Sequence, residues 1–229
     1  MAGQMLVNKI MIEFMHKIVE DYDGNYLEIG CYDGVALKTM SLLDSHAADR
    51  RYYGIDPFLG DYFVPHGNLS EEDSKNGKFL PMPEQRKNLY ENISDCENIT
   101  FFETTSEKFL NSKTNKEMED LNVTTVFIDG CHHREYIKID CMLAVTLIGQ
   151  KRGAIIFDDM EHPEVSEVVR EFLDFLEMHR YNFKSLGCFS SAPDAETYAA
   201  TIAAWPPGGL DPWNNSTGMI IQAMAIEVN

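Results

Sequence analysis

The chain has 229 residues, 44% of them hydrophobic, enough to bury one sizeable core without implying a second domain. Its 19 Lys and Arg stand against 37 Asp and Glu, a net charge of −18 that repels nucleic acid and anionic membrane. The five cysteines are scattered without Cys-x-x-Cys spacing, which excludes the common zinc and dithiol arrangements and fits a reducing, cytoplasmic setting.

Leu6, Ile10, Phe14 and Ile18 recur every four residues and predict an N-terminal amphipathic helix within residues 1–24. Lys9, Glu13, His16 and Lys17 interrupt its apolar pattern, so no signal-peptide core is expected there, and no run reaches the roughly 20 apolar residues of a membrane span. Sequons such as those at Asn68 and Asn98 are then expected to be idle. Tyr26 to Ile29 reads as the first strand, and Gly30 to Gly34 turns the chain into a helix whose buried side would use Val35, Leu37, Met40 and Leu43. Arg51 to Asp56 reads as a second strand ending on an acid, which completes a βαβ unit of ordinary length.

Residues 60–83 lose periodicity and carry Pro65, Gly67, Gly77, Pro81 and Pro83, predicting an insertion that is either a lid or a passive surface excursion. A helix at Glu84 to Asn92, a strand at Ile99 to Phe102 and a strand at Val123 to Ile128 follow. Between Arg134 and Ile148, helical spacing places Tyr136, Ile139, Leu143 and Leu147 together, and Ala154 to Phe157 is a further strand. Pro163 then opens the most clearly patterned helix, with Val165, Val168, Val169, Phe172, Leu173 and Leu176 in one stripe. Tyr181 to Phe189 and Met219 to Val228 read as closing strands around a Pro/Gly/Asn-rich loop bearing Trp205 and Trp213. Alternating strands and helices predict one doubly wound, Rossmann-like α/β domain over residues 1–229, with a mostly parallel sheet, an antiparallel strand near the C-terminus and helices on both faces.

Three of these strands stop on a carboxylate or a carboxylate-glycine turn: Glu28 to Gly34, Asp129-Gly130 and Asp158-Asp159. Ligands bind at the carboxyl ends of such strands, so the pattern predicts a nucleotide-like cofactor beside a metal ion. Asp158-Asp159 could equally be an N-cap and its solvated neighbour ahead of the Pro163 helix. Two adjacent aspartates cannot both face inward on a straight strand, so the turn must re-aim one of them. The first loop lacks Gly-x-Gly-x-x-Gly spacing, because Tyr32 occupies the middle position, and Glu28 and Asp33 bring negative charge towards any phosphate. A dinucleotide-dependent oxidoreductase is therefore disfavoured. The carboxylates suit a cationic group and a ribose.

Glu28-Ile-Gly-Cys-Tyr-Asp-Gly34 resembles the first motif of class I S-adenosylmethionine-dependent methyltransferases, in the variant with an aromatic at the middle glycine. With Phe127-Ile-Asp-Gly-Cys-His-His-Arg-Glu-Tyr136 and Ile155-Ile-Phe-Asp-Asp159 it is similar to the metal-dependent small-molecule O-methyltransferases of the sugar and macrolide-sugar type, and more distantly of the catechol type. The resemblance runs from about Tyr26 to Leu176. It implies Glu28, Gly30, Cys31, Tyr32, Asp33, Asp56, Ser106, Asp129 and His132 at the S-adenosylmethionine, with Asp56 on the ribose and Ser106 near the adenine. It implies Mg²⁺ held by Asp129, Asp158 and Asp159 and a small-molecule hydroxyl acceptor; the charge disfavours a nucleic acid or membrane partner, and the oligomeric state stays open between a monomer and a homo-oligomer such as relatives often form. Many sugar-type relatives carry an aspartate, the proposed base, where this chain has Cys131. The catechol type has a lysine where this chain has His132, whose ordinary pKa of about 6.5 suits a base. His132 is thus the candidate base beside Asp129, or else a residue that contacts the cofactor or orients Asp129. Thr104 stands where a glycine is common. With Tyr32 and Cys131 it leaves open a domain that binds the cofactor without turnover.

Overall fold

The computed structural model describes residues 2–43, 49–58, 82–160, 162–190 and 221–229. The elements in chain order are α1 (Ala2–Glu20), β1 (Asn25–Ile29), α2 (Val35–Leu43), β2 (Tyr52–Ile55), α3 (Met82–Ile93), β3 (Ile99–Phe102) and α4 (Ser106–Ser112). They continue with α5 (Asn115–Asp120), β4 (Val123–Ile128), α6 (Arg134–Ile148), β5 (Gly153–Phe157), α7 (Pro163–Met178), β6 (Phe183–Ser190) and β7 (Ile221–Val228). The sheet has seven strands in the order β3-β2-β1-β4-β5-β7-β6. β1 pairs in parallel with β2 and β4, β2 with β3 and β4 with β5, whereas β7 runs antiparallel between β5 and β6. The expected architecture is present, and the insertion before Met82 and the loop bearing Trp205 and Trp213 lie outside the described residues.

Every residue of β2, β4 and β5 is buried, as befits strands covered on both faces. Alternation along each strand divides two cores. Leu27, Ile29, Tyr53, Ile55, Val126 and Ile128 face the side covered by α4 to α7. Tyr26, Tyr52, Phe127, Ala154 and Ile156 face the side covered by α1 to α3. Each fully buried large apolar side chain contributes roughly 1.5–3 kcal/mol relative to exposure.

α7 matches its sequence pattern closely: Val165, Val168, Val169, Phe172 and Leu176 are buried, and Pro163 stands in the first turn, where a missing N–H costs nothing. Two other faces differ from expectation. α1 buries Met11, Met15, Ile18 and Val19, with Phe14 only half-buried, and Arg50 donates to the Val19 and Tyr22 carbonyls at its end at 2.9 and 3.0 Å. α2 buries Leu37, Met40 and Ser41 while Val35 and Leu43 are about half exposed, since only one narrow stripe of so short a helix reaches the sheet. α5 was not foreseen from apolar periodicity; a Thr114–Glu117 capping box sets it, each side chain bonding the other's backbone N–H.

The chain leaves β1 outward to β2 and β3, then returns to β4 on the other side of β1. The crevice between the carboxyl ends of β1 and β4 is therefore the topological switch point, where ligands of such sheets bind.

Candidate functional site

One wall of the crevice is the loop after β1. Gly30 has φ +84°, and a Cβ there would run into the Asp129 carbonyl, so the tight approach of this loop to the β4 turn requires glycine. Tyr32 also adopts positive φ, +48°. The cost of that conformation is met by Asp56: its Oδ2 accepts from the backbone N–H groups of Cys31 and Tyr32 at 3.0 and 3.1 Å, and its Oδ1 from Phe58 at 2.9 Å. Asp56 therefore holds the loop shut from the end of β2, and burial raises its pKa despite these bonds. Asp33 accepts from the Val35 N–H at 3.2 Å at the start of α2.

Glu28 is 1% exposed. Burial drives its pKa up to about 8; a 3.1 Å bond from the Tyr26 hydroxyl opposes the rise, and the charges of Asp56 and Asp33 add to it. The structure thus brings Glu28, Gly30, Cys31, Tyr32, Asp33 and Asp56 together at one strand end. Ser106 begins α4 beyond the end of β3 and is buried there.

The other wall comes from β4 and β5. The Asp129 N–H bonds the Ile29 carbonyl at 2.9 Å and the Asp158 N–H bonds the Ile128 carbonyl at 3.0 Å, which continue the ladder just past the strands and align both aspartates with the crevice. Asp159 then turns to φ +52°, the re-aiming that the adjacent aspartates demanded. Its Oδ2 lies 2.7 Å from His132 Nε2. Donor atoms of Asp129, His132 and Asp159 all lie within 4.8 Å of one another, and Asp158 lines the same pocket with an apolar back of Ile128, Ile137, Phe157 and Val165. Desolvation by the surrounding protein pushes the Asp129 pKa well above the usual carboxylate range, and Asp158, Asp159, Glu28 and Asp56 add their repulsion.

Oxygen donors from neighbouring carboxylates, next to an imidazole, fit a divalent cation, whose charge would offset the repulsion among these acids. Cys131 is half-buried with a raised pKa, caused chiefly by burial. His133 occupies the N-cap position of α6 without a side-chain cap bond. His162, before α7, packs at a tilt against His132 with ring centroids 5.0 Å apart and was not foreseen. Asp140 was also missed, although an acid inside the stripe Ile137, Cys141, Ala144, Ile148 was its signal.

The sequence profile described as a methyltransferase domain matches residues 27–160, more than half of the chain. No curated protein sequence matches. Among solved structures, an O-methyltransferase from Bacillus cereus in complex with SAH is 13% identical with a TM-score of 0.54, covering 96% of this chain and 80% of that one. TomG, an O-methyltransferase from Streptomyces achromogenes in complex with SAM, is 10% identical with a TM-score of 0.55, covering 95% and 78%. The calicheamicin methyltransferase CalS11 is 16% identical with a TM-score of 0.51, covering 81% and 75%. At such identities the likeness establishes the fold. With the profile match over both walls of the crevice, the chain belongs to the methyltransferase domain family, as a class I S-adenosylmethionine-dependent methyltransferase.

Proposed function

We propose that the protein, one domain over residues 1–229, transfers the methyl group of S-adenosylmethionine to a hydroxyl of a small molecule bearing neighbouring hydroxyls, such as a sugar or a catechol, with the help of a divalent cation, Mg²⁺ by expectation. The observation that carries this reading is the meeting of Asp129, His132 and Asp159 within 4.8 Å at the carboxyl ends of β4 and β5, beside the Gly30 loop. The O-methyltransferases among the structural neighbours agree with an oxygen acceptor. The surplus of negative charge disfavours polyanionic acceptors, and among the described residues no helix is long and apolar enough to cross a membrane.

A bound divalent cation supplies Lewis acidity that lowers the pKa of a coordinated hydroxyl. Asp129, Asp158 and Asp159 would hold it. Methyl transfer from a sulfonium is an in-line displacement, so the acceptor oxygen must be ionised and aimed. Asp159 orients the His132 ring through Nε2, and His132 would take the acceptor's proton. The apolar back of the pocket excludes water from the same place. With the sulfonium facing this pocket, the cofactor runs across the Gly30 loop, its ribose near Asp56, where the carboxylate retains acceptor capacity. Its adenine then lies near Ser106.

Calorimetric titration with S-adenosylmethionine and SAH, each with Mg²⁺ and with chelator, tests the reading. Micromolar binding with a metal-dependent turnover of vicinal diols is expected. Binding without turnover across sugars and catechols would leave a cofactor-binding domain, and unchanged turnover in chelator would remove the cation.

A further inference from the structure

The two helices that begin at the pocket are fastened to each other by charges that the proposed chemistry leaves unused. Arg134, the first residue of α6, follows His132 and His133 directly. Its backbone N–H donates to a Glu164 carboxylate oxygen at 3.3 Å, and its guanidinium reaches Glu167 at 3.0 Å and also Glu171. Lys138, one turn further along α6, puts a second cation 3.4 Å from Glu171. Glu164, Glu167 and Glu171 stand at i, i+3 and i+7, so they form one acidic stripe of α7 against the start of α6.

Local rules alone disfavour this arrangement. A cation in the first turn of a helix meets the positive end of the dipole, and the N-cap residue, His133, makes no side-chain cap bond. α7 makes good both deficits: its acids offset the Arg134 charge, and Glu164 accepts from an N–H that the cap leaves free. An exposed single ion pair adds little stability, but a guanidinium shared between two carboxylates fixes an orientation. The residues just ahead of the two helices are the ones that meet in the pocket. His132 lies two positions before Arg134 and His162 one before Pro163, and their rings pack with centroids 5.0 Å apart. His132 Nε2 lies 2.7 Å from Asp159 Oδ2, and the His162 N–H bonds the Asp159 carbonyl at 2.8 Å.

We propose that Arg134 is a positioning residue: by clamping the start of α6 to the acidic stripe of α7, it holds His132 against His162 and Asp159 in the orientation in which His132 takes a proton. The proposal rests on the role given to His132 above.

The test is the nuclear Overhauser effect between carbon-bound ring protons of His132 and His162 in the full chain, read together with SAH affinity and turnover. The wild type should show the effect, since the rings are in contact. Arg134→Ala should weaken it severalfold, and Arg134→Lys, whose ammonium cannot bridge both acids, should fall between the two. Glu167→Gln with Glu171→Gln removes the clamp from the other side and should weaken the effect as much. Adding Arg134→Ala to that pair should change nothing more, and the pair decides the matter where Arg134→Ala fails to fold. SAH affinity should be unchanged throughout. Turnover of a vicinal diol that the wild type methylates should fall about tenfold or more, since misplacement by about 1 Å can cost about 10²-fold. Undiminished ring contact or turnover in Arg134→Ala overturns the proposal, as does absence of the effect from the wild type. A loss matched by an equal loss of SAH affinity marks a merely structural role and overturns it too. A wild type that binds no SAH defeats the cofactor reading instead, and the ring contact still decides the clamp.

Discussion

Glu227, at the amino ends of the parallel strands, and Glu28, at their carboxyl ends, are both buried glutamates on one sheet, yet their pKa values move to about 2 and about 8. Burial works to raise both. At Glu227 it is outweighed: Arg152 reaches Oε2 at 2.7 Å, the Tyr22 hydroxyl donates to the same oxygen at 2.8 Å, and Lys184 lies 3.1 Å from Oε1. Glu28 has one hydroxyl partner and two nearby carboxylates. The far end of the sheet thus satisfies its acid with cations, whereas among the described residues Glu28 meets a hydroxyl and the charges of other acids. A fold keeps such an arrangement where a ligand supplies the missing positive charge, and a sulfonium and a divalent cation both would.

The largest expected effect that separates the two ends is on turnover. His132→Ala should lower kcat by about 10²- to 10⁴-fold, the usual worth of a positioned base, with SAH affinity little changed. Equal losses in kcat and affinity would reassign His132 to cofactor binding. At the other end, Glu227→Ala should leave SAH affinity intact and lower stability by about 1–2 kcal/mol in urea denaturation, a discounted figure because the cations covering Glu227 are themselves exposed. A matching loss of SAH binding would show that the two ends are not independent.

The pH dependence of stability should carry both signs. Glu28 holds its proton up to about pH 8 in the folded chain, whereas the unfolded chain releases it near 4.5. Its stabilising contribution is therefore complete below pH 4.5 and is lost as pH rises towards and through 8. Glu227 behaves inversely: its contribution is present above pH 4.5 and is lost as pH falls towards 2. Urea midpoints should accordingly fall towards both extremes. Glu28→Gln should flatten the alkaline limb and Glu227→Gln the acid limb; an alkaline limb unaltered in Glu28→Gln would refute the assignment. The smallest effect on stability belongs to Asp159→Gly, which relieves the positive φ and should raise stability by up to about 1 kcal/mol while reducing turnover through the loss of both a proposed cation ligand and the His132 partner. Retained turnover would remove Asp159 from both roles.

Much of the site could be read locally. Apolar runs ending in Glu28 and Gly30, Asp129 and Gly130, and Asp158 and Asp159 announce strands and the turns at their ends, because strand formation and turn chemistry depend on neighbouring residues. The stripe of α7 was equally plain. α2 misled because Val35 and Leu43 are apolar but lie outside the narrow stripe that meets the sheet. α5 escaped because its signal is a polar capping box. Asp140 gave a sign of itself as an acid in an apolar helix stripe, but its place beside Gly130 depends on how α6 packs on the sheet.

The sequence by itself determined the order of the strands, the acids at their ends and the need for one of two adjacent aspartates to be turned. Only the tertiary structure decided that Asp159 is the one turned, that its partner is His132, and which buried acids are ionised. Tyr22 and Glu227 meet across 205 residues, and Glu28 is surrounded by acids from other segments. Charge state depends on burial and on the distance through space to the nearest opposite charge, and neither quantity is carried by any local stretch of chain.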